Sequence, residues 1–595
     1  MMTSGGHAAD TPQDCAWETY DVALWAVVAG LALAMRLAQL DAAPLGAAEA
    51  RQATLAWQAA TGHGTPAADY SPLLLAANSL FFTLFGASDA LARLWPAVFG
   101  SALTLTPLLL RQRLGRVGAL ASGLYLAISP TALIASRQLD GTTMAAAGAM
   151  AFVGALSRFL QTERRGWLWF GAVSLSFAVA SGAAAYGVLV PLALAWVVAS
   201  QLGSGGYGSR AARELTRLGP HAAEFTLLVV LSAIAFSTGL GWNLSGMGAI
   251  GSVAVDWLGR YVGVGTGAAS PLTLLAVYEL FGVVFGLGGL IWGLRRGRHW
   301  SAVLGLWGGV GLLLLAIMPG RTPTDLIWVV LPLAMLAGLA VQAVAQDRWW
   351  SGATMRSVYA VLVLILWSQA YLMLARYAAF GERTDLTVVG LVVGLQVLLG
   401  LSFGFVVGLG ATVRTAAAAT GVTLLALTIS AAWGVAYRRP ADPREALISE
   451  PTALNVRDLV GTLRELSWQQ TGMPTTLQFV YEAPSESVLA WYLRDFEMAR
   501  RVERLSELGT EEMGPIVVSA GADEAAIPLS LSAEYTGQDF TLRRQWTPSS
   551  MGCRFWESGC SIAFDWFLFR DGPPLPEANG RATLWRRVEL VDRDS

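Results

Sequence analysis

The chain has 595 residues, of which 54% are hydrophobic and only 14% charged, with a formal net charge of -2 and a mean hydropathy of +0.51. Soluble globular proteins carry about 25% charged residues, so this composition excludes a water-soluble enzyme of this length. The 40 basic residues are balanced by 42 acidic ones, which leaves no basic field for nucleic acid, and DNA or RNA binding is not expected.

All the basic residues are arginines, which removes Schiff-base lysines, lysine general bases and the lysine of a phosphate-binding loop. The 3 cysteines are too few for a disulfide scaffold. The histidines at His7, His63, His221 and His299 show no metal-ligand spacing.

A bilayer-spanning helix needs about 20 apolar residues. In chain order the spacing predicts spans at Asp21 to Leu40, Arg93 to Leu110, Val117 to Ala135, Thr142 to Leu160, Trp167 to Ser181 and Ala183 to Gln201. Further spans are expected at Ala223 to Gly241, Pro271 to Leu294, Trp300 to Pro319, Pro323 to Ala345, Val358 to Arg376, Leu386 to Leu409 and Val413 to Tyr437. The fold class expected is therefore a polytopic α-helical membrane protein with about thirteen spans. Pro72 to Gly86 is apolar too, but its length suits an interfacial or re-entrant helix better than a span.

Positive charge accumulates in short cytoplasmic loops, and with the N-terminus inside the inner loops hold about fifteen arginines against about six outside. Counting Pro72 to Gly86 as a span would invert every later loop. This assignment places residues 1–20 in the cytoplasm as a tail and the C-terminal region outside it, at the cytoplasmic (inner) membrane. No cleavable signal peptide is expected, because Asp10, Asp14 and Glu18 stand where positive charge would.

Residues 21–437 thus form the membrane domain, with 41–92 a long outer loop carrying juxtamembrane helices. Composition changes at Tyr437-Arg438-Arg439-Pro440, and residues 438–595 read as a soluble domain of about 155 residues. Asn455 to Trp468 and Ser487 to Phe496 have helical spacing, and Thr476 to Tyr481 and Ile516 to Ser519 are strand-like, so an extracytoplasmic α/β domain is expected. Cys553 and Cys560 stand on the side where disulfides persist, either as a bridge or as two free thiols.

The outer loop of 41–92 is too long to lack a role. It carries Asp41, Glu49, Arg51, His63, Asp69 and Tyr70, and the short second outer loop reads Ser136-Arg137-Gln138-Leu139-Asp140. Glu49 and Asp140 would face one compartment at similar depth. Paired carboxylates near a cation suit general-base activation of an acceptor beside an anionic phosphate leaving group.

Three stretches carry a family resemblance. They are Pro44-Leu45-Gly46-Ala47-Ala48-Glu49-Ala50; Ser71-Pro72-Leu73-Leu74-Leu75 with Phe85-Gly86-Ala87-Ser88-Asp89-Ala90-Leu91-Ala92-Arg93-Leu94-Trp95-Pro96; and Ile128-Ser129-Pro130 through Ser136-Arg137 to Asp140. Together they resemble the first spans of GT-C class glycosyltransferases, polytopic enzymes that use polyprenyl-phosphate-linked sugars, such as protein O-mannosyltransferases and aminoarabinose transferases. Arg321-Thr322-Pro323-Thr324 and Trp491-Tyr492-Leu493-Arg494-Asp495-Phe496 are similar to elements of a flippase-activity-associated subfamily. Two departures stand out: Ala48 replaces the first acid of the usual pair, and Ser181-Gly182-Ala183-Ala184 replaces a Lys-Glu element.

The resemblance implies a GT-C-like fold and transfer of a sugar from a polyprenyl-phosphate donor to a protein or glycan acceptor at the outer membrane face. Glu49 and Asp140 would act on the acceptor hydroxyl. Arg137 and Arg321 would stabilise the phosphate, with Asp69, Tyr70 and Arg51 as further substrate contacts. The partners implied are the lipid-linked donor, membrane lipids and other membrane proteins. The cofactor stays open, since a divalent cation is compatible with the class but no dedicated metal motif exists.

Simpler roles compete with each assignment. Glu49 could be a solvated acid favoured by a helix dipole, Asp140 a helix N-cap, and Arg137 and Arg321 interface anchors. Glu279, inside a span, is either a cavity group or a hydrogen-bonded structural acid. Asp256 with Arg260 suits ordinary loop solvation, and the sequon Asn243-Leu244-Ser245 is given no role. Besides a transferase, a catalytically degenerate scaffold or assembly subunit fits the lost charges, and a lipid flippase or transporter fits Glu279 alone.

Overall fold

The computed structural model describes residues 19–62, 70–202, 219–241, 243–263, 265, 269–345, 353–449, 451–483, 488–508, 512–521, 535–544, 546, 561–571, 578 and 580–588. His63, Asp69, Cys553, Cys560 and the arginine loop at 210–217 lie outside these residues.

Ten helices among the described residues are long and apolar enough to cross a membrane, or up to 11 if one bent pair counts as a single span. The difference from the expected count has local causes. Val117 to Ala135 is two helices, Arg116–Ile128 and Pro130–Ala135, because the residue before proline is driven out of the helical region. Ser129 is extended there, and its Oγ accepts the Ala132 N–H. Arg165–Ser181 has 17 residues. Pro271 to Leu294 is a pair, Pro271–Tyr278 and Leu280–Arg295, meeting at 98°. Pro72–Phe85 has 14 residues, in keeping with a helix too short to span.

Glu279 stands at that 98° break and joins it to the break at Ser129. It is fully buried, and its carboxylate accepts from Ser129 Oγ at 2.7 Å, from the Thr131 N–H at 3.0 Å and from the Tyr125 hydroxyl. A buried acid in an apolar span needs such donors. Glu279 is thus a structural staple between two interrupted helices.

The central core gathers Arg116–Ile128, Leu280–Arg295 and Ile327–Ala345. Small residues allow this close approach: a Cβ on Gly338 would lie 2.3 Å from the Gly118 carbonyl oxygen, and one on Gly289 1.9 Å from that of Leu336. Helices Ala353–Phe380, Arg383–Val407 and Leu409–Trp433 pack together at the periphery.

The C-terminal region forms a five-stranded mixed sheet in the order β2-β1-β3-β5-β4, with β1 Phe479–Glu482, β2 Ala499–Val502, β3 Ile516–Gly521, β4 Tyr535–Arg543 and β5 Gly580–Arg587. β1 runs parallel to β2 and β3, whereas β5 is antiparallel to β3 and β4. Strand alternation sends Phe479, Tyr481, Ile516 and Val518 to one face. There they meet Val456, Leu459, Leu463 and Leu466, the apolar stripe of helix Asn455–Thr471. Val480, Val517 and Trp585 face the other way, against Leu505 and Met513.

The sheet domain does not stand apart. Trp491 is fully buried within a cluster of Leu45, Ala50, Ala53, Leu74 and Phe82, all from the long first loop.

Candidate active site

A cavity of about 500 Å³ lies where the first and second loops meet the start of helix Ile327–Ala345 and the linker after Leu409–Trp433. Its wall includes Ala48, Glu49, Arg93, Arg137, Asp140, Arg260, Arg321, Thr324, Asp325 and Glu445. The fold therefore brings together Glu49, Asp140, Arg137 and Arg321 from among the residues singled out in the sequence. Arg51 and Tyr70 do not line it. Tyr70 is buried elsewhere, its hydroxyl within 3.3 Å of Ser245 Oγ and accepting from Asn243 Nδ2 at 3.3 Å. Asp69 lies outside the described residues.

Glu49 begins helix Ala47–Ala60, and its carboxylate is fully engaged. Oε1 accepts from Arg93 Nε at 2.8 Å and the Leu139 N–H at 2.6 Å. Oε2 accepts from Arg93 Nη2 at 2.6 Å and the Gly46 N–H at 2.8 Å. A carboxylate offers about four acceptor positions, so none is left for an acceptor proton. In this structure these bonds tie the first loop to the second and leave no free oxygen for the base role expected of Glu49.

Arg137 is likewise engaged. Its Nη1 donates to the carbonyls of Met35, Arg36 and Ala38 at 3.2, 3.2 and 2.6 Å, and its Nη2 donates to Gln39 at 2.7 Å. These carbonyls lie in and just past the last turn of helix Thr19–Leu37, where a cation is favoured. The guanidinium also sits 4.9 Å from the Tyr437 ring centroid. Arg137 caps this chain end at the cavity rim, with its Nη atoms on backbone carbonyls rather than open to a phosphate in this structure.

Asp140 differs. Its Oδ1 accepts from the Thr142 N–H at 3.0 Å, and Oδ2 accepts from Thr142 Oγ1 at 2.7 Å and more distantly from Thr324 Oγ1 at 3.5 Å. Of the cavity carboxylates, Glu49 pairs with Arg93, Asp325 with Arg260, and Glu445 with Arg439 and Arg570. Among the described residues, Asp140 alone of these acids has no arginine at salt-bridge distance. Burial holds its carboxyl above the usual carboxylate range and the Asp325 charge adds to the rise, while hydrogen bonds from Thr142 and the Arg260 charge oppose it.

The backbone around Asp140 is held closely. Gly141 has no room for a side chain, since a Cβ there would lie 1.8 Å from the Ser181 carbonyl oxygen.

Arg321 donates Nη1 to the Met318 carbonyl at 3.1 Å and lines the cavity. Asp325, fully buried, is held by Arg260 and by the Thr322 N–H at 2.7 Å. Sequence reading missed this pair and left Arg260 beside Asp256, because the partner lies 65 positions away. Arg93 was visible inside its motif, yet nothing local signalled its partner Glu49. No three His, Cys, Asp or Glu side chains among the described residues converge closely enough to hold a metal ion.

No protein-family model and no curated protein sequence matches the chain. Solved structures do. The crystal structure of ArnT from Cupriavidus metallidurans bound to undecaprenyl phosphate aligns with a TM-score of 0.51 at 16% identity, over 86% of this chain and 94% of that one. The archaeal oligosaccharyltransferase AglB from Archaeoglobus fulgidus, in complex with an inhibitory peptide and a dolichol-phosphate, aligns at 0.43 and 12% identity, over 96% and 88%. The first of these shows a shared fold, that of the GT-C class. The chain is a multi-span membrane protein of that architecture with a small C-terminal sheet domain.

Proposed function

We propose that the protein is a membrane glycosyltransferase that moves a sugar from a polyprenyl-phosphate donor to an acceptor hydroxyl at the outer face of the cytoplasmic membrane. The observation that carries this reading is the cavity in which one carboxylate, Asp140, stands without an arginine partner while Arg321 lines the same wall. The undecaprenyl phosphate held by the ArnT structure supports a lipid-phosphate donor.

In this mechanism an Asp140 oxygen takes the proton of the acceptor hydroxyl as that oxygen attacks the anomeric carbon. The bond from the anomeric carbon to the phosphate oxygen breaks, and the polyprenyl phosphate departs with the electron pair. Arg321 offers the positive charge that this leaving group requires. Glu49, Arg93 and Arg137 hold the loops in register. The linker that leads to the sheet domain closes the cavity through residues 440–449, with Pro451, Thr452 and Trp546 beyond it.

The test is transfer by the full chain in nanodiscs from undecaprenyl-phosphate sugars. Asp140→Asn should lower the rate by about 10²–10⁴-fold, the usual weight of a general base, with undecaprenyl phosphate still bound. Full activity of that variant, or a wild-type protein that neither binds undecaprenyl phosphate nor consumes any such donor, would refute the reading. A second reading, a fold-retaining assembly subunit, is favoured by Ala48 standing on the cavity wall where the resemblance expects an acid. Purification with a stoichiometric membrane partner and no lipid-phosphate binding is its signature.

A further inference from the structure

The sheet domain reaches the first loop through a small set of buried polar contacts. Tyr492 Oη accepts the Leu45 N–H at 2.8 Å and donates to Asp89 Oδ2 at 2.9 Å. Thr452 Oγ1 donates to the Leu45 carbonyl at 2.8 Å, so both backbone groups of this fully buried residue are held by the C-terminal region. Asp89 also accepts from Trp491 Nε1 at 2.8 Å and Arg457 Nη2 at 3.1 Å. Burial pushes the Tyr492 phenol well above its ordinary range and the Asp89 charge adds to that, so the hydroxyl remains a donor.

What these contacts hold leads straight to the cavity. Leu45 precedes Gly46, whose N–H binds Glu49. Asp89 begins the turn that ends at Arg93, whose N–H donates to the Asp89 carbonyl at 3.3 Å. Arg93 in turn grips the carbonyls of Leu40, Ala43 and Pro44 and both oxygens of Glu49. Glu49 then holds the Leu139 N–H, next to Asp140. Both ends of the segment that carries Glu49 are thus fixed, one by Arg93 and the other by the sheet domain.

We infer that Tyr492 is a positioning residue: through its hydroxyl on Leu45 and Asp89, the C-terminal domain sets the Glu49–Arg93 strut and thereby the loop that carries Asp140. This rests on the reading of Asp140 as the base. It gives the sheet domain a second role besides covering the cavity, because its removal or loosening would detune a carboxylate that it does not touch.

The experiment is hydrogen–deuterium exchange on the full chain in nanodiscs, with Tyr492→Phe and Thr452→Val each removing one hydroxyl. Thr583→Ala, which removes an exposed hydroxyl bond to Asp539 on the sheet, serves as the control. Loss of one buried hydrogen bond should speed exchange of the 134–142 segment by about tenfold in both variants, with the control unchanged. In the transfer assay the same variants should lower kcat while KM stays within about twofold, the mark of lost alignment rather than lost binding.

Faster exchange confined to 43–46 and 488–496, with 134–142 unmoved, would overturn the inference. So would equal acceleration in Thr583→Ala, which would mean that the whole domain had loosened. Exchange is read without substrate, so a wild-type protein lacking transferase activity would sink the proposed function while leaving the positional coupling separately measured.

Discussion

Helices Ile327–Ala345 and Arg383–Val407 lie in spans of equal mean hydropathy, 2.2, yet in the 18-residue apolar stretch of each, 72% of the residues are buried in the first and only 6% in the second. Both carry glycines. Gly338 of the first is pressed against Ser122 and the Gly118 backbone, whereas Gly390 and Gly394 of the second meet nothing within 4 Å. The first helix opens on Thr322-Pro323-Thr324-Asp325 at the cavity. The second contributes nothing to the cavity wall. Apolarity places a helix in a membrane, but close approach between backbones decides which helices can frame a site.

Three experiments test that contrast. The largest effect is expected from Arg93→Met, which leaves the part-buried Glu49 without its cation. Breaking one partner of such a pair costs about 3–5 kcal/mol, read as a fall in the thermal unfolding midpoint of the detergent-solubilised chain. A fall no greater than that of a surface arginine variant would mean that the first loop is not the rigid region described above.

Next comes a matched pair of glycines. Gly289→Val would drive a side chain into the Leu336 carbonyl, an overpacking that costs about 1–3 kcal/mol. Gly394→Val should stay within about 0.5 kcal/mol, as exposed substitutions do. Equal losses at both positions would erase the distinction between the central and peripheral helices.

The smallest effect concerns pH. Burial raises the Asp140 carboxyl above its unfolded value, so the native state binds this proton more tightly than the unfolded chain does. The contribution to stability is therefore present in acid and is lost as pH rises through the folded value. On the role proposed for Asp140, activity runs the opposite way, since a base must be ionised, and its acidic limb should fall at a higher pH than an ordinary carboxylate would give. Thr142→Val removes a hydrogen bond that favours the ionised form, so the midpoint of that limb should move further upward. A midpoint that stayed put or moved down would remove Asp140 from the rate-limiting proton step.

Much of this architecture was legible in the residues alone. Ten spans, the short Pro72–Phe85 helix and the helix at Asn455–Thr471 follow from hydrophobic period and length, which are local properties. Two of the three differing spans were harder, because a proline break or a stapled bend depends on which donors a distant helix supplies, as Tyr125 and Ser129 do for Glu279; the third, Arg165–Ser181, is one unbroken helix of 17 residues. The first and second loops could be recognised as belonging to one site from their acids and their shared face.

The sequence by itself determined which residues are candidates, because charge in an apolar chain is costly and survives only where something uses it. Only the tertiary structure decided which use each one has. Glu49 and Asp140 look alike in the sequence, yet an arginine 44 positions from the first makes it a strut, while the second has no arginine at salt-bridge distance among the described residues. The same holds for Tyr492, whose hydroxyl acquires its partners 447 and 403 positions away. Acceptor sites on a carboxylate are few, and the folded chain fills them from anywhere along its length. No reading of local pattern can reveal which remain open.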